Sequence, residues 1–268
     1  MPLDPLMLLV FLGLGAVAGV LAGLLGVGGG LVLVAALAWL LPAQGVVPSQ
    51  AAMHAALATS LASIVFTAMS SARAHAQRGS VLWPTVAWMV PGILIGGWLG
   101  SRVAIGLDGM WLRWGVAVYC LIAAAQMLLS KPRDPGDASL APRGPALTAA
   151  GGVIGAVSSL VGIGGGSMTV PLLTWRGVVP VRAVGTSSAC GVFIGLASAL
   201  GYALNAPAGA LPSHAVGYVY LPAAICVAIA SVLAAPFGTR IAHAISGPML
   251  KRVFALFLLA VGGSLLLP

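Results

Sequence analysis

The chain contains no glutamate at all. Its acidic residues are Asp4, Asp108, Asp134 and Asp137, and none of them lies inside a long apolar run. Charged residues fill only 6% of the 268 positions and hydrophobic residues 60%, whereas a soluble domain is about 25% charged. That balance excludes a water-soluble fold and leaves a polytopic membrane protein. The lack of intramembrane carboxylates also removes the usual proton or sodium relay of a coupled pump. Cysteine is scarce too: Cys120, Cys190 and Cys226 stand singly in apolar runs, with no CxxC pair and no histidine at metal-ligand spacing. They read as small buried hydrophobes, and no metal or cofactor is expected. Met1-Pro2-Leu3-Asp4-Pro5 lacks the basic region of a signal peptide, so the N-terminus reads as mature sequence.

What the chain does have is twelve Lys and Arg, which give a net charge of +8. They are scattered singly or in pairs beside apolar segments, a positive-inside distribution and not a nucleic-acid patch. Apolar segments fall at roughly 5–25, 31–41, 51–70, 81–101 and 111–130, then at roughly 146–161, 167–175, 183–204, 216–236 and 250–267. Between the two sets lies the one long hydrophilic stretch, which begins Lys131-Pro132-Arg133-Asp134-Pro135-Gly136-Asp137 and is rich in turn formers. The expected organisation is a first membrane repeat at 1–130, a linker at 131–145 and a second repeat at 146–268.

Glycine is abundant, with 37 in all, and its placement organises the chain. Gly26-Val27-Gly28-Gly29-Gly30 returns as Gly162-Ile163-Gly164-Gly165-Gly166. Each copy interrupts an apolar run, although glycine costs a helix about 1 kcal/mol relative to alanine. The flanks match as well: Val46-Val47-Pro48 with Val178-Val179-Pro180, Ala58-Thr59-Ser60 with Gly185-Thr186-Ser187, and Gly100-Ser101-Arg102 with Gly238-Thr239-Arg240. The chain is an internal duplication. Unwound backbone in a membrane survives only where protein buries it or where it lines a cavity, and paired breaks in two halves point to a transporter's binding site. The glycines spaced by four, at 15, 19 and 23 and at 92, 96 and 100, have another reading, close helix packing.

If each broken segment is a re-entrant hairpin, each half has three crossings and the halves are inverted. One side then receives Arg73, Arg78, Lys131, Arg133, Arg143, Arg176, Arg182, Arg240, Lys251 and Arg252, and the other only Arg102 and Arg113. Full crossing divides the charges far more evenly, which the orientation rule does not expect. The runs 31–41 and 167–175 are also too short to span ~30 Å of hydrocarbon at about 1.5 Å per residue. The fold expected is therefore all-α and polytopic: two inverted repeats, each a glycine-broken re-entrant hairpin plus three transmembrane helices, 8–10 helical segments in total, with both termini extracytoplasmic.

In that arrangement the hairpin tips meet near the midplane, and a short helix starts after each. Helix starts carry unpaired N–H groups and the positive end of the macrodipole, and glycine lets a ligand approach them. Two such starts make a donor-rich site for a small oxyanion. The candidate binding residues are Gly28, Gly29, Gly30, Gly164, Gly165, Gly166 and Ser167, with Thr169 a further hydroxyl at the second tip. On the following helices Thr59, Ser60, Thr186 and Ser187 either line the same cavity or bond back to their own helix. His54 fits a proton-sensitive gate or a helix-end imidazole facing the headgroups. Arg102 and Arg240 either draw anions to each vestibule or anchor their helix ends by snorkelling. His75 beside Arg73 and Arg78, and His243 beside Arg240, read as interfacial, and the seven tryptophans read as aromatic belts. Neither glycine motif continues as Gly-Lys-Ser/Thr, so a nucleotide loop is excluded. No nucleophile–base pair or carboxylate pair is visible, so the chain does not read as an enzyme.

Taken together, Leu24-Leu25-Gly26-Val27-Gly28-Gly29-Gly30, Leu160-Val161-Gly162-Ile163-Gly164-Gly165-Gly166-Ser167, Pro171 and Val184-Gly185-Thr186-Ser187-Ser188 resemble the TauE/SafE family of sulfite and organosulfur-compound exporters. The first half departs from the pattern, with Ala35 in place of the proline and Ala58 in place of the glycine before Thr59. The resemblance implies a secondary transporter in a bacterial or archaeal inner membrane, moving sulfite, sulfoacetate or another sulfonate. Export agrees with the missing carboxylates, since an anion leaving a negative-inside cell gains about 2.3 kcal/mol per charge per 100 mV. A passive anion channel, or an importer coupled to protons or sodium, remains the alternative. The partners expected are the small anion and the lipid bilayer, not nucleic acid; a monomer and a homodimer fit equally well.

Overall fold

A computed structural model describes residues 5–25, 29–129, 141–211, 214–244 and 247–266. The described chain is almost entirely helical: α1 (Pro5–Leu25), α2 (Gly30–Ala43), α3 (Ala52–Ala76), α4 (Trp83–Ile105), α5 (Gly109–Leu129), α6 (Pro145–Val161), α7 (Gly166–Trp175), α8 (Pro180–Leu204), α9 (Leu221–Ala244) and α10 (Gly247–Leu266). A two-residue hairpin pairs β1 (Ala215–Val216) with β2 (Val219–Tyr220) between α8 and α9. Among the described residues five helices are long and apolar enough to cross a bilayer: α1, α3, α4, α8 and α9. The outward faces carry exposed leucine, isoleucine and valine, and Trp39, Trp83, Trp88, Trp111, Trp114 and Trp175 are all exposed. This is a multi-pass, all-α membrane protein.

The helices α3 and α8 form the middle of the bundle. Gly195 faces Leu61 and Val65, Gly191 faces Ala68, and Gly185 faces His75, so these two corresponding helices run antiparallel. Around them the two halves exchange helices. The first helix of the first half, α1, lies along α9, and α6 lies along α4 in the reciprocal arrangement.

Both exchanged pairs are made possible by glycine. Gly15, Gly19 and Gly23 follow Val227, Ser231 and Ala235 in step, so α1 and α9 run parallel with backbone against backbone. A methyl on Gly19 would stand 2.5 Å from the Ser231 carbonyl oxygen. Gly92, Gly96 and Gly100 meet Thr148, Gly152 and Ala156 of α6 in the same register. Small residues at helical spacing are what lets helices pack this closely in lipid, where no hydrophobic effect drives them together.

Each glycine break turns the chain back. Phe11 of α1, Leu33, Leu37 and Leu41 of α2, and Ala55 and Ala56 at the start of α3 share one apolar cluster with Tyr220 and Val227. The free ends of α1 and α2 therefore lie at the same end of the bundle. The legs are unequal. The His75 imidazole, in the last turn of α3, bonds the Gly23 carbonyl at 3.2 Å, so α1 runs the full depth beside α3. Its 21 residues give a length of about 32 Å at 1.5 Å per residue. The return leg α2 begins only beside Ser60 and Ile64, part-way along α3.

At the other end of the bundle Leu82, Leu173, Val178, Ala183 and Ala141 pack together, which places the α3–α4 turn, the α7–α8 turn and the approach to α6 side by side. Arg73, Arg78, Arg143, Arg176, Arg182, Arg240, Lys251 and Arg252 belong to segments at this basic end. Arg102 and Arg113 lie towards the opposite end.

A methyl at a backbone contact has nowhere to go, whereas one at an open glycine meets nothing. Gly96→Ala should cost about 2–3 kcal/mol through overpacking against Gly152. Gly13→Ala, with no atom within 4 Å, should be neutral or stabilising by under about 1 kcal/mol. Thermal unfolding of the two purified variants compares them directly.

Candidate functional site

The two glycine tips meet inside the bundle. A methyl on Gly30 would collide with the Gly162 carbonyl oxygen and stand 3.1 Å from Ile163 Cα. Gly29 (φ 68°) and Gly165 (φ 75°), equivalent in the repeat, both adopt the left-handed conformation immediately before α2 and α7. An L side chain there costs roughly 1–2 kcal/mol, so glycine is required by backbone shape as well as by space. Gly164 and Gly166 complete the second tip, and the carbonyl of Gly164 faces Gly191 of α8. Gly28 lies outside the described residues.

Ser60 joins the two tips. Its hydroxyl faces the carbonyls of Gly30 at 3.2 Å and of Gly162 at 3.0 Å, one from each hairpin. A hydroxyl has one proton to donate, so it is shared between, or alternates across, the two breaks. Ser187, its equivalent on α8, is fully buried and also engaged.

Thr59 and Thr186 have a different task. Thr59 Oγ1 accepts the Tyr220 amide just before α9, and Thr186 Oγ1 accepts the Leu82 amide just before α4, each at 3.0 Å. Each threonine thus satisfies an orphan amide at the start of the other half's fourth helix. Thr186 also donates to its own helix at Arg182 at 2.7 Å, the back-bonding pattern of membrane helices. A third matched pair escapes sequence reading: His75 on the Gly23 carbonyl has as its counterpart Tyr202, whose hydroxyl donates to the Ser159 carbonyl at 3.1 Å. His75 is fully buried and not interfacial, because the end of α1 passes over it.

The three residues considered for gating lie away from the tips. His54 is buried at the start of α3, with Nε2 on the Ala104 and Leu107 carbonyls at 3.2 and 3.0 Å and its ring stacked on Tyr218 at 5.0 Å. It closes the α4–α5 turn and does not face the headgroups. Burial pushes the Tyr218 phenol above its usual range. Arg102 and Arg240 are exposed at opposite ends of the bundle, and the Arg240 guanidinium rests 5.6 Å from the centre of the Phe237 ring.

The second tip is richer in hydroxyls than the sequence motif suggests. Ser167, first after the glycines, pairs with the Tyr119 hydroxyl of α5 at 2.5 Å. Ser158 and Thr169, on either side of the glycines, are fully buried, and their hydroxyls have no partner. Ser158 and Tyr119 were available to sequence reading only as a lone serine pair and a lone tyrosine in apolar helices. Among the residues whose burial is described no Arg or Asp is buried, so the side chains found at the tips present neutral dipoles. Ser60→Ala would leave the Gly30 and Gly162 carbonyls without their shared donor, at a cost of about 1–3 kcal/mol. A lowered melting temperature in detergent is the expected result.

No solved structure matches the chain. A "Probable membrane transporter protein" of Haemophilus influenzae is 36% identical over 257 residues, covering 95% of this chain and 96% of that protein. Two proteins of the same description from Xylella fastidiosa strains Temecula1 and 9a5c are 28% and 30% identical, each covering 95% of this chain and 93% of the relative. The family model "Sulfite exporter TauE/SafE" matches residues 11–265. The crossed hairpins, the paired glycine breaks and this near-complete match lead to one conclusion: the chain belongs to the TauE/SafE sulfite exporter family of membrane transporters.

Proposed function

We propose that this transporter exports a small sulfur-containing oxyanion, sulfite or a short sulfonate, across the cytoplasmic membrane of a bacterium, by alternating access around the glycine tips. The observation that carries the reading is the meeting of Gly30 with Gly162 and Ile163 in an interior where, among the residues whose burial is described, no Arg or Asp is buried. Each of these turns leads into a helix whose first amides lack intrahelical partners, which suits an anion. Dipoles fixed in the interior replace hydration water without the penalty of burying a counter-ion. Sulfur as the central atom is supported by the family description alone.

The two halves, 1–130 and 146–268 about the 131–145 linker, are read as inverted in the membrane. Support comes from the antiparallel packing of the corresponding helices α3 and α8 and from the gathering of basic residues at one end. By the orientation rule that end is cytoplasmic, and both termini then lie outside the cytoplasm.

Two experiments decide these points. In proteoliposomes, flux should saturate with sulfite, sulfoacetate or taurine and exceed that of chloride, with and without a pH gradient. Gly165→Ala should reduce that flux at least about tenfold while the protein still assembles, because the left-handed turn at the tip is strained by about 1–2 kcal/mol. Flux that never saturates would point to a channel, and undiminished flux in the variant would remove the tip from the mechanism. For orientation, Arg143→Cys in a background free of Cys120, Cys190 and Cys226 should react with an impermeant maleimide only from the cytoplasmic face. Labelling from the periplasm would reverse the assignment.

A further inference from the structure

We infer that the anion is held one-sidedly, at the second tip, by the hydroxyls of Ser158, Thr169 and Ser167 with the first amides of α7, and that Tyr119 closes this site; this rests on the anion-transporter reading above. Ser158 Oγ and Thr169 Oγ1 are fully buried and unpartnered. An orphaned buried hydroxyl is costly to a fold, and a ligand that comes and goes is one partner that explains it. Ser158 Oγ lies 3.4 Å from where a Cβ on Gly165 would stand, so it sits beside the glycine that immediately precedes α7. Thr169 sits in the first turn of the same ten-residue helix, and its amide bonds the Gly165 carbonyl at 2.8 Å.

The first tip lacks this equipment. In the register that pairs Gly26–Gly30 with Gly162–Gly166, the places of Ser158, Ser167 and Thr169 are taken by Ala22, Leu31 and Leu33. Continuing the register that pairs Arg102 with Arg240 puts Phe257 in the place of Tyr119. Every hydroxyl of the set is replaced by hydrocarbon, so the two tips share a backbone shape but not a donor set.

An apolar space adjoins Tyr119. Between α5 and α6 lies an apolar cavity of about 240 Å³ lined by Leu107, Trp111, Tyr119, Val157 and Val161 among others. Tyr119 separates this space from Ser167, and Val157 adjoins Ser158 in the chain. Breaking the Tyr119–Ser167 bond frees a donor and opens the cavity to the tip in one movement. Three hydroxyls and the amides of one helix start fit an anion headgroup with three oxygens better than a halide, which has no separate acceptor atoms to match.

The test measures half-saturation for radiolabelled sulfite in proteoliposomes, alongside thermal unfolding. Ser158→Ala and Thr169→Val should each raise half-saturation about tenfold, and Thr169→Ser should restore it. Both variants should melt no lower than the parent, because each loses an unpaired hydroxyl. Unchanged half-saturation in the double variant, with saturable flux in the parent, overturns the one-sided site and leaves the transporter reading standing. A double variant that melts far below the parent also overturns it, by showing that the hydroxyls are structural. No saturable flux of either sulfite or sulfoacetate in the parent removes the sulfur-oxyanion reading and this inference together.

Discussion

Two broken helices cross inside an apolar bundle, and their carbonyls need a donor that water cannot supply. Ser60 provides it, reaching Gly30 and Gly162 from a third helix. Much of the architecture follows from keeping such groups satisfied. Thr59 and Thr186 take up the amides that precede α9 and α4, and His75 and Tyr202 reach carbonyls near the ends of α1 and α6. Irregular backbone at membrane depth is tolerable only when protein groups replace water around it. Here the replacements come from α3 and α8, which explains why these two are the most deeply buried of the long helices.

The same logic bears on how the molecule can move. The sequence halves are not separate bodies, because α1 is packed along α9 and α6 along α4 with backbone in contact. A motion of one half against the other would slide these helices across carbonyl oxygens that leave no room for even a methyl. Close-packed interiors resist such deformation. Beyond these two seams, α3 and α8 pack on each other and each also packs on a helix of a seam, α3 on α9 and α8 on α4. The α3–α8 crossing, with the two tips beside it, is closely packed as well, Gly195 lying against the Leu61 carbonyl, so any shift of α3 against α8 acts on the tips directly.

Part of this was legible in the residues. The helical segments, the duplicated break and the four-residue glycine spacing at 15, 19 and 23 are local patterns, and the structure realises them as helices and backbone contacts. The unequal hairpin was not legible, because the depth that α1 reaches depends on α9, more than two hundred residues away in the chain. Thr59 and Thr186 were recognisable as polar positions in apolar helices, but their partners, the amides of Tyr220 and Leu82, come from the opposite half. The burial of His54 and His75 is hidden from the sequence for a similar reason. A histidine near the end of a helix resembles a surface residue until another helix end is folded over it.

A duplicated chain carries its own internal control. Where both halves keep a group and give it the same partner, as with Thr59 and Thr186, the group answers a need of the fold that arises twice. Where the halves share a backbone turn but differ in side chains, the fold does not require the difference. Gly29 and Gly165 have the same left-handed shape, yet among the described residues buried hydroxyls without a partner flank only the second. Folding alone would favour Ala22 and Leu33 over Ser158 and Thr169, since a buried hydroxyl without a partner destabilises the state that holds it. That second-half polarity is therefore the feature that stability leaves unexplained, and it is the feature on which the inferred anion site rests.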